Sequence, residues 1–332
     1  MTFALLLVVL ALLFPWPAAA ITRRLARVLP PRAACWVLSG GAVLLAGGTL
    51  SVLIGLFHVP FLASLEQLSP TRVLEVWPAA MPVAGAAGAA LLLQLTLLVR
   101  RWMQHRSLLR RAWRSVEEGS GEGDLVVIPG GDVDAFALPG YRGRPGRVVV
   151  TSAMVRSLKA REREVLLAHE RAHLAGRHHL LSAVVDLAAM IHPALRGVRE
   201  ALAFHLERWA DEEAAAVTGD RRVAAAAVAR AALAGASPGR SSGYPLLSAT
   251  SGPVPQRVEA LLGPKPQGPR GSVHRAAATA LALTVVAAAA AGLTMAYGLH
   301  EYVEYSARQL LGTPSGCSGP WSTLHGLFSL RT

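Results

Sequence analysis

Four stretches of this chain, residues 2–21, 35–57, 79–99 and 276–299, are almost uninterrupted hydrocarbon, each close to the ~20 residues that carry a helix across a bilayer. In hydrocarbon every backbone N–H and C=O must be satisfied inside the segment, so runs of this kind are read as helices. The 332 residues are 52% hydrophobic, and the clustering of that excess separates a membrane protein from a soluble one with a large core. The run at 79–99 contains Gln94 and many small residues, as a buried helical hairpin would, but the basic flank behind it favours a span.

Arginines orient the spans. No basic side chain precedes the first run, whereas Arg23, Arg24, Arg27 and Arg32 follow it. This predicts an uncleaved first helix with the N-terminus outside, although Pro17, Ala18, Ala19 and Ala20 offer the small residues of a cleavage site. Arg100, Arg101, Arg106, Arg110, Arg111 and Arg114 form the strongest basic cluster and belong on the cytoplasmic side. The expected organisation is three transmembrane helices within 1–99 with a basic cytoplasmic loop at 22–34. A basic juxtamembrane segment and linker follow at 100–123, then a cytoplasmic domain at 124–273, a fourth span at 274–299 and a short extracytoplasmic tail at 300–332. The chain is read as a multi-pass protein of a bacterial-type cytoplasmic membrane.

A net charge of +12 would point to nucleic acid in a soluble protein. Here many arginines flank spans, where anionic headgroups attract them, so membrane lipid is the expected partner and direct nucleic-acid binding is not expected. The two cysteines, Cys35 and Cys317, fall near opposite membrane faces on this topology and lack metal-site spacing. A bridge between two copies through Cys317, and with it a homodimer, stays open.

Within 124–273, β-branched runs at 124–128, 133–138 and 147–151 predict a small sheet with hairpin connections. Helical patterning covers 157–177, 199–218 and, through an alanine-rich stretch, 223–233; a short helix at 256–262 interrupts Gly/Pro/Ser-rich sequence. The apolar run 180–191 contains Asp186 and is too short for a fifth span, so a buried or membrane-apposed helix ended by Pro193 is expected. The alanine tracts read as composition bias. The fold class is a mainly α membrane protein of about four transmembrane helices with an α+β cytoplasmic domain.

The chemistry is carried by His169, Glu170 and His173, which spell H-E-x-x-H inside the first of those helices. Four residues make about one turn, so both imidazoles face the same way, roughly 6 Å apart along the axis, and can share a metal. Glu170 then stands where a metallopeptidase needs its general base, within reach of a metal-bound water and not of the metal itself. Such a pattern also arises by chance, and a glutamate-rich helix face such as 207–213 is commonly just solvated. What weighs against chance is Glu207, on the next long helix, with Asp211 one turn below it. Glu207 is the expected third ligand of one zinc ion per chain, and Asp211 the acceptor that fixes a ligand histidine's tautomer. His178, His179, His205 and Arg257 are candidates for stabilising an oxyanion; His205 points away from Glu207 on an ideal helix.

His169-Glu170-x-x-His173, followed by Arg177-His178-His179, His192-Pro193 and Glu207-x-x-x-Asp211, resembles the membrane-embedded gluzincin peptidases. The BlaR/MecR-type regulatory peptidases are similar in the short spacing to the third ligand, the His-Pro punctuation and the three spans ahead of a cytoplasmic zinc domain. The HtpX-type and CAAX prenyl protease-like branch is similar in Asp134-Ala135-Phe136-Ala137, in the strand at 147–151 and in the Arg-Val-x-x-Leu run that begins at Arg257. The resemblance implies a zinc endopeptidase acting on a protein substrate, and its BlaR/MecR side implies a cytoplasmic repressor as that substrate. Related gluzincins also imply that Val133, Asp134, Ala135 and Phe136 lie along the cleft and bind substrate as an added strand. BlaR/MecR-type sensors carry a large penicillin-binding domain after their last span; here only 300–332 follows it, without a Ser-x-x-Lys motif, so β-lactam sensing is not expected.

Overall fold

The structure, a computed structural model, describes residues 12–65, 78–117, 123–235 and 253–266, with isolated helical positions at Val9 and between 279 and 305. The fourth expected span, at 274–299, and the tail with Cys317 lie outside the described residues apart from those positions, as do residues 2–8, 10 and 11 of the first span's apolar run.

Helix α1 (Pro15–Ala26) starts on Pro15, whose fixed φ and missing N–H suit a first turn, and carries Arg23 and Arg24 in its last turn. The segment expected as a basic loop at 22–34 is therefore mostly helical: a short turn after Ala26 leads into α2 (Pro31–Leu65). Two described helices are long and apolar enough to cross a membrane, Pro31–His58 of α2 and Ala80–Arg114 of α3 (Ala80–Glu117). Leu92, Leu93, Leu95 and Val99 of α3 are exposed, as a lipid-facing surface requires.

Helix α3 does not stop where its hydrocarbon ends. The basic stretch expected as a juxtamembrane segment continues it to Glu117, because Leu109, Ala112, Trp113 and Val116 recur at helical spacing and have a sheet to cover. Trp113 Nε1 donates to Pro139 O at 3.1 Å. The sheet consists of β1 (Leu125–Ile128), β2 (Ala135–Leu138) and β3 (Arg147–Thr151) in the order β1-β3-β2. Only β2 and β3 form the expected antiparallel hairpin; β1 pairs parallel to β3, with Val127 opposite Val150. Two chain reversals, before and after β2, return β3 to the direction of β1 and leave β2 as an edge. Alternation along the strands splits the sheet between two layers. Val126, Phe136, Leu138 and Val149 meet α3, whereas Ala135, Val148 and Val150 meet Met154, Leu158 and Leu166.

The helix expected over 157–177 is two: α4 (Ser152–Ser157) and α5 (Ala160–Ala175). Thr151 caps the first by accepting Met154 N–H at 3.2 Å, and Leu158, extended, separates them. Glu162 Oε2 accepts the Lys159 N–H at 2.8 Å at the start of the second, an acidic group where the helix dipole favours one. Helices α6 (His178–Ile191) and α7 (Arg196–Thr218) form a hairpin through a single 3-10 turn, Pro193–Leu195. Its tip is held by polar side chains: Gln94 Nε2 donates to Ile191 O at 3.0 Å, His192 Nδ1 accepts Ala194 N–H at 3.2 Å, and His192 Nε2 lies 3.0 Å from Leu12 O. These contacts satisfy helix-end groups that would otherwise be orphaned beside the spans.

Helix α7 is the pivot of the molecule. One side, with Val198, Leu202, Leu206 and Trp209, packs into a core shared with α1, α2 and α6. Another, with Ala214 and Ala215, meets Val165 and Ala168 of α5 and Ala224, Ala225 and Ala227 of α8 (Arg221–Gly235). The alanine tracts are thus architecture as well as composition: small side chains let three helices approach closely at the level of the site. Helix α9 (Val254–Leu262) closes this side through Leu261.

Candidate metal centre

Helix α5 puts His169 and His173 on one face, and α7 brings Glu207 against it. The two Nε2 atoms are 3.1 Å apart, and each lies 3.5 Å from an oxygen of Glu207. Around a tetrahedral zinc with ligand bonds near 2.0–2.1 Å, neighbouring ligand atoms stand about 3.3 Å apart. The three donors therefore already have the spacing of one zinc coordination face, and two imidazoles with one carboxylate are the donor set of a hydrolytic zinc site. Among the described residues these three form the cluster able to hold a metal ion.

Both histidines are fixed from behind. His169 Nδ1 lies 3.0 Å from Asp211 Oδ1, so its N–H donates there, and Nε2 offers a lone pair to the cluster once its own proton is displaced. His173 Nδ1 lies 2.8 Å from His178 Nδ1; the tautomer that leaves Nε2 of His173 free to ligate has its Nδ1–H donate to His178. A bend of 58° between α5 and α6 makes this second contact. At the bend a Cβ on Gly176 would collide with the His178 ring, and Arg177 takes the left-handed conformation with φ 50°. His178, named from sequence as an oxyanion donor, instead supports a ligand histidine.

Arg257, another oxyanion candidate, is also committed elsewhere. From α9 it donates Nε and Nη2 to Asp211 at 2.8 and 2.7 Å, while Nη1 pairs with Glu207 Oε2 at 3.0 Å. Glu207 and Asp211 are buried, so the solvated reading of the 207–213 face does not hold for them. The sequence signal for Arg257 was available in its Arg-Val-x-x-Leu run, but nothing in that run shows that it folds back 46 residues onto Asp211. Of the remaining candidates, His205 is buried on α7 beside Phe204 and His179 is influenced by His105 and Arg177; neither joins the cluster.

The electrostatics describe a site built for a cation. Burial works against a charge on His169, but hydrogen bonds to Asp211 and Glu207 and their charges override it and raise its pKa to about 10. Burial pushes His173 and His178 down to about 3, which keeps both as neutral ligand and acceptor. Burial also opposes ionisation of Glu207 and Asp211, yet His169 and Arg257 hold both carboxyls below their usual range. The metal-free cluster thus keeps a proton on His169 between two carboxylates, where a divalent ion would compete for the same lone pair. Glu170, next to His169, is almost completely buried, and its Oε1 has no hydrogen-bond partner among the described residues. Burial is the largest influence on it and raises its pKa to about 7.

Asp134, Ala135 and Phe136 are buried and Val133 is half-buried, so their side chains belong to the interior. Only the backbone of the β2 edge is suited to pairing with an extended segment. Asp134 contributes a like charge that favours the protonated form of Glu170. A narrow crevice of about 30 Å³, lined by Asp134, Ala135, His169 and Arg257 with the alanines of α8, reaches the cluster and has room for roughly one water.

A helix-borne His-Glu-x-x-His met by a carboxylate from a second helix, in a domain attached to membrane-length apolar helices, is the arrangement that a membrane-type metallopeptidase requires. Residues 104–229 match the family model for peptidase family M48, which supports a zinc metallopeptidase. The match contains His169, Glu170, His173, Glu207 and Asp211 but not Arg257. No curated protein and no solved structure matches the chain.

Proposed function

We propose that this chain is an integral-membrane zinc endopeptidase that hydrolyses a protein substrate at the cytoplasmic face, with His169, His173 and Glu207 holding zinc and Glu170 as its general base. The observation that carries the reading is the convergence of three donors at zinc spacing beside a buried carboxylate poised near neutrality. Zinc at this site would polarise the scissile carbonyl and acidify water. Glu170 removes the proton from the attacking water and returns it to the leaving amine, a task suited to a carboxyl whose pKa lies near the working pH. Asp211 and His178 hold the ligand rings in place, and Arg257 balances the carboxylates. A zinc-binding scaffold or signalling adaptor would need the three ligands but no base, so Glu170, with an unpartnered buried oxygen, favours the enzyme.

For the substrate we carry the regulatory reading, proteolysis of a cytoplasmic repressor in a BlaR/MecR-like pathway, supported by the ligand spacing and by His192-Pro193 at the α6–α7 tip. A second reading, HtpX-like quality control of membrane proteins, is favoured by the way Arg257 and the Asp134–Phe136 strand sit against the cluster. Co-purification with a Glu170→Ala trap separates them: a soluble DNA-binding repressor supports the first, misfolded membrane proteins the second. The arginine pattern supports an outside N-terminus, and a periplasm-active reporter fused near residue 240 should stay silent. Activity of that reporter reverses the orientation.

A further inference from the structure

A cavity of about 730 Å³ lies behind the zinc helix, away from the cluster. Its floor is Ala168 and Ala172 of α5 with Trp209 of α7; its rim carries Arg32 and Trp36 from the first turns of α2 and Arg177 from the α5–α6 bend. None of His169, Glu170, His173 and Glu207 lines it, so an occupant does not reach the proposed metal ligands.

Three arginines border this cavity, and their partners distinguish them. Arg171 is taken, gripping Asp124 at 2.7 and 2.9 Å. Arg32 lies 5.4 Å over the Trp209 ring, a stacking contact that leaves its N–H edge available. Among the described residues neither Arg32 nor Arg177 has a carboxylate within ion-pair reach. Glu213 also lines the cavity, where its Oε1 accepts the Trp209 Nε1–H at 3.2 Å; the guanidiniums of Arg32 and Arg177 outnumber it and are complementary to a phosphate, which Arg binds through its planar fork.

An exposed face of α2 begins at Trp36, on the cavity lining. Trp36, Gly40, Val43, Leu44 and Gly47 are all exposed and recur along one face of α2, inside the helix that is long and apolar enough to span. Nothing stands within 4 Å of the Cβ positions of Gly40 and Gly47, so this face is open. Leu180, on the cavity wall, and Val184, one turn further along α6, are exposed beside it. A cationic mouth beside an exposed apolar face that runs lengthwise along a membrane-length helix fits a headgroup with an attached chain. A soluble acidic peptide would leave this apolar face uncovered.

We propose that this cavity binds an anionic membrane phospholipid, its phosphate held by Arg32 and Arg177 and its acyl chain laid along the Trp36–Gly47 face of α2. The site is independent of zinc chemistry and is measured equally well on the Glu170→Ala chain. The full chain in detergent is titrated with phosphatidylglycerol and with phosphatidylcholine, and adducts are counted by native mass spectrometry. Phosphatidylglycerol should bind preferentially, and Arg32→Gln/Arg177→Gln should weaken it about tenfold or more, as expected for the loss of charge-assisted hydrogen bonds. Trp36→Ala/Leu180→Ser should weaken both lipids alike. Retained zinc content in each variant checks that the domain is folded; Arg32→Lys/Arg177→Lys, which keeps the charge, replaces the glutamine pair if that variant fails this check, and should show intermediate affinity. Equal occupancy by the two lipids, undiminished binding in the glutamine pair, wild-type or absent binding in a folded lysine pair, equal binding of soluble glycerol phosphate, or a site filled only by an acidic peptide would each overturn the proposal.

Discussion

Arg257 holds Asp211 through Nε and Nη2 at 2.8 and 2.7 Å, and Arg171 holds Asp124 through the same two nitrogens at 2.7 and 2.9 Å. The forks are nearly superimposable in geometry and opposite in surroundings. The side chains of the first pair are 3% and 2% exposed, those of the second 50% and 46%. In water the exposed fork exchanges one set of hydrogen bonds for another, and salt screens what remains. In the interior neither ion can recover its hydration, so each depends on the other, and Glu207 and His169 depend on both. The comparison teaches that a short ion pair acquires structural weight from its location and not from its distances. The buried fork also sets the charge of the metal cluster, whereas the exposed one pins the start of the sheet to the outside of the zinc helix.

That contrast can be broken at several points. The largest effect on stability is expected from Arg257→Met, which leaves Asp211 and Glu207 facing each other without a counter-charge and should destabilise the zinc-free domain by about 3–5 kcal/mol. Denaturant unfolding of the purified chain measures this; a change no larger than that for Arg171 would place the two forks on an equal footing. Next, Asp211→Asn keeps a hydrogen-bond acceptor for His169 but removes its charge, and zinc affinity should fall roughly 10–100-fold in a chelator competition.

Acidity tests the same cluster without a mutation. Zinc must displace the proton that His169 holds with a pKa near 10, so apparent affinity should rise about tenfold per pH unit between roughly pH 7 and 9. Calorimetry in buffers of different ionisation heat should show one proton released; uptake without proton release would remove the cation-shaped reading of the site. For the zinc-free fold the signs differ by residue. The raised pKa of His169 contributes stability that is full below its ordinary 6.5 and lost as pH rises through about 10. The lowered pKa of Asp211 contributes stability present above 3.8 and lost on acidification below it. The raised pKa of Glu170 works the other way for a carboxyl, costing stability as pH rises from 4.5 to about 7. The smallest effect is reserved for Arg171→Gln, under about 1 kcal/mol and shrinking further in salt.

The same difference between local and distant information decides what was legible in the sequence. His169, Glu170 and His173 lie on one helical turn, so their convergence follows from helix geometry alone, as does the stacking of Asp211 below Glu207. Arg257 reaches them across 46 residues of chain, and only the close packing of α7, α8 and α9 brings it there. His178 was visible as a residue but not as a support, because its approach to His173 depends on a bend that Gly176 permits and Arg177 completes. Helix α3 exceeded the expected span because hydropathy reports where lipid ends, whereas a helix ends where its packing does; Trp113 and Val116 had a sheet to cover. Strand periodicity found β1, β2 and β3 but not the parallel pairing of β1, since alternation carries no information about strand direction.

The central claim, that the cluster is a zinc peptidase site with Glu170 as its base, is tested most directly by measuring zinc content and protein-substrate hydrolysis on the same preparations of wild-type and Glu170→Gln chain. The account predicts about one zinc in both, hydrolysis by the wild type that a chelator removes and zinc restores, and a loss of at least about 10³-fold in the variant. A Glu170→Gln chain that holds zinc and hydrolyses at the wild-type rate would contradict it.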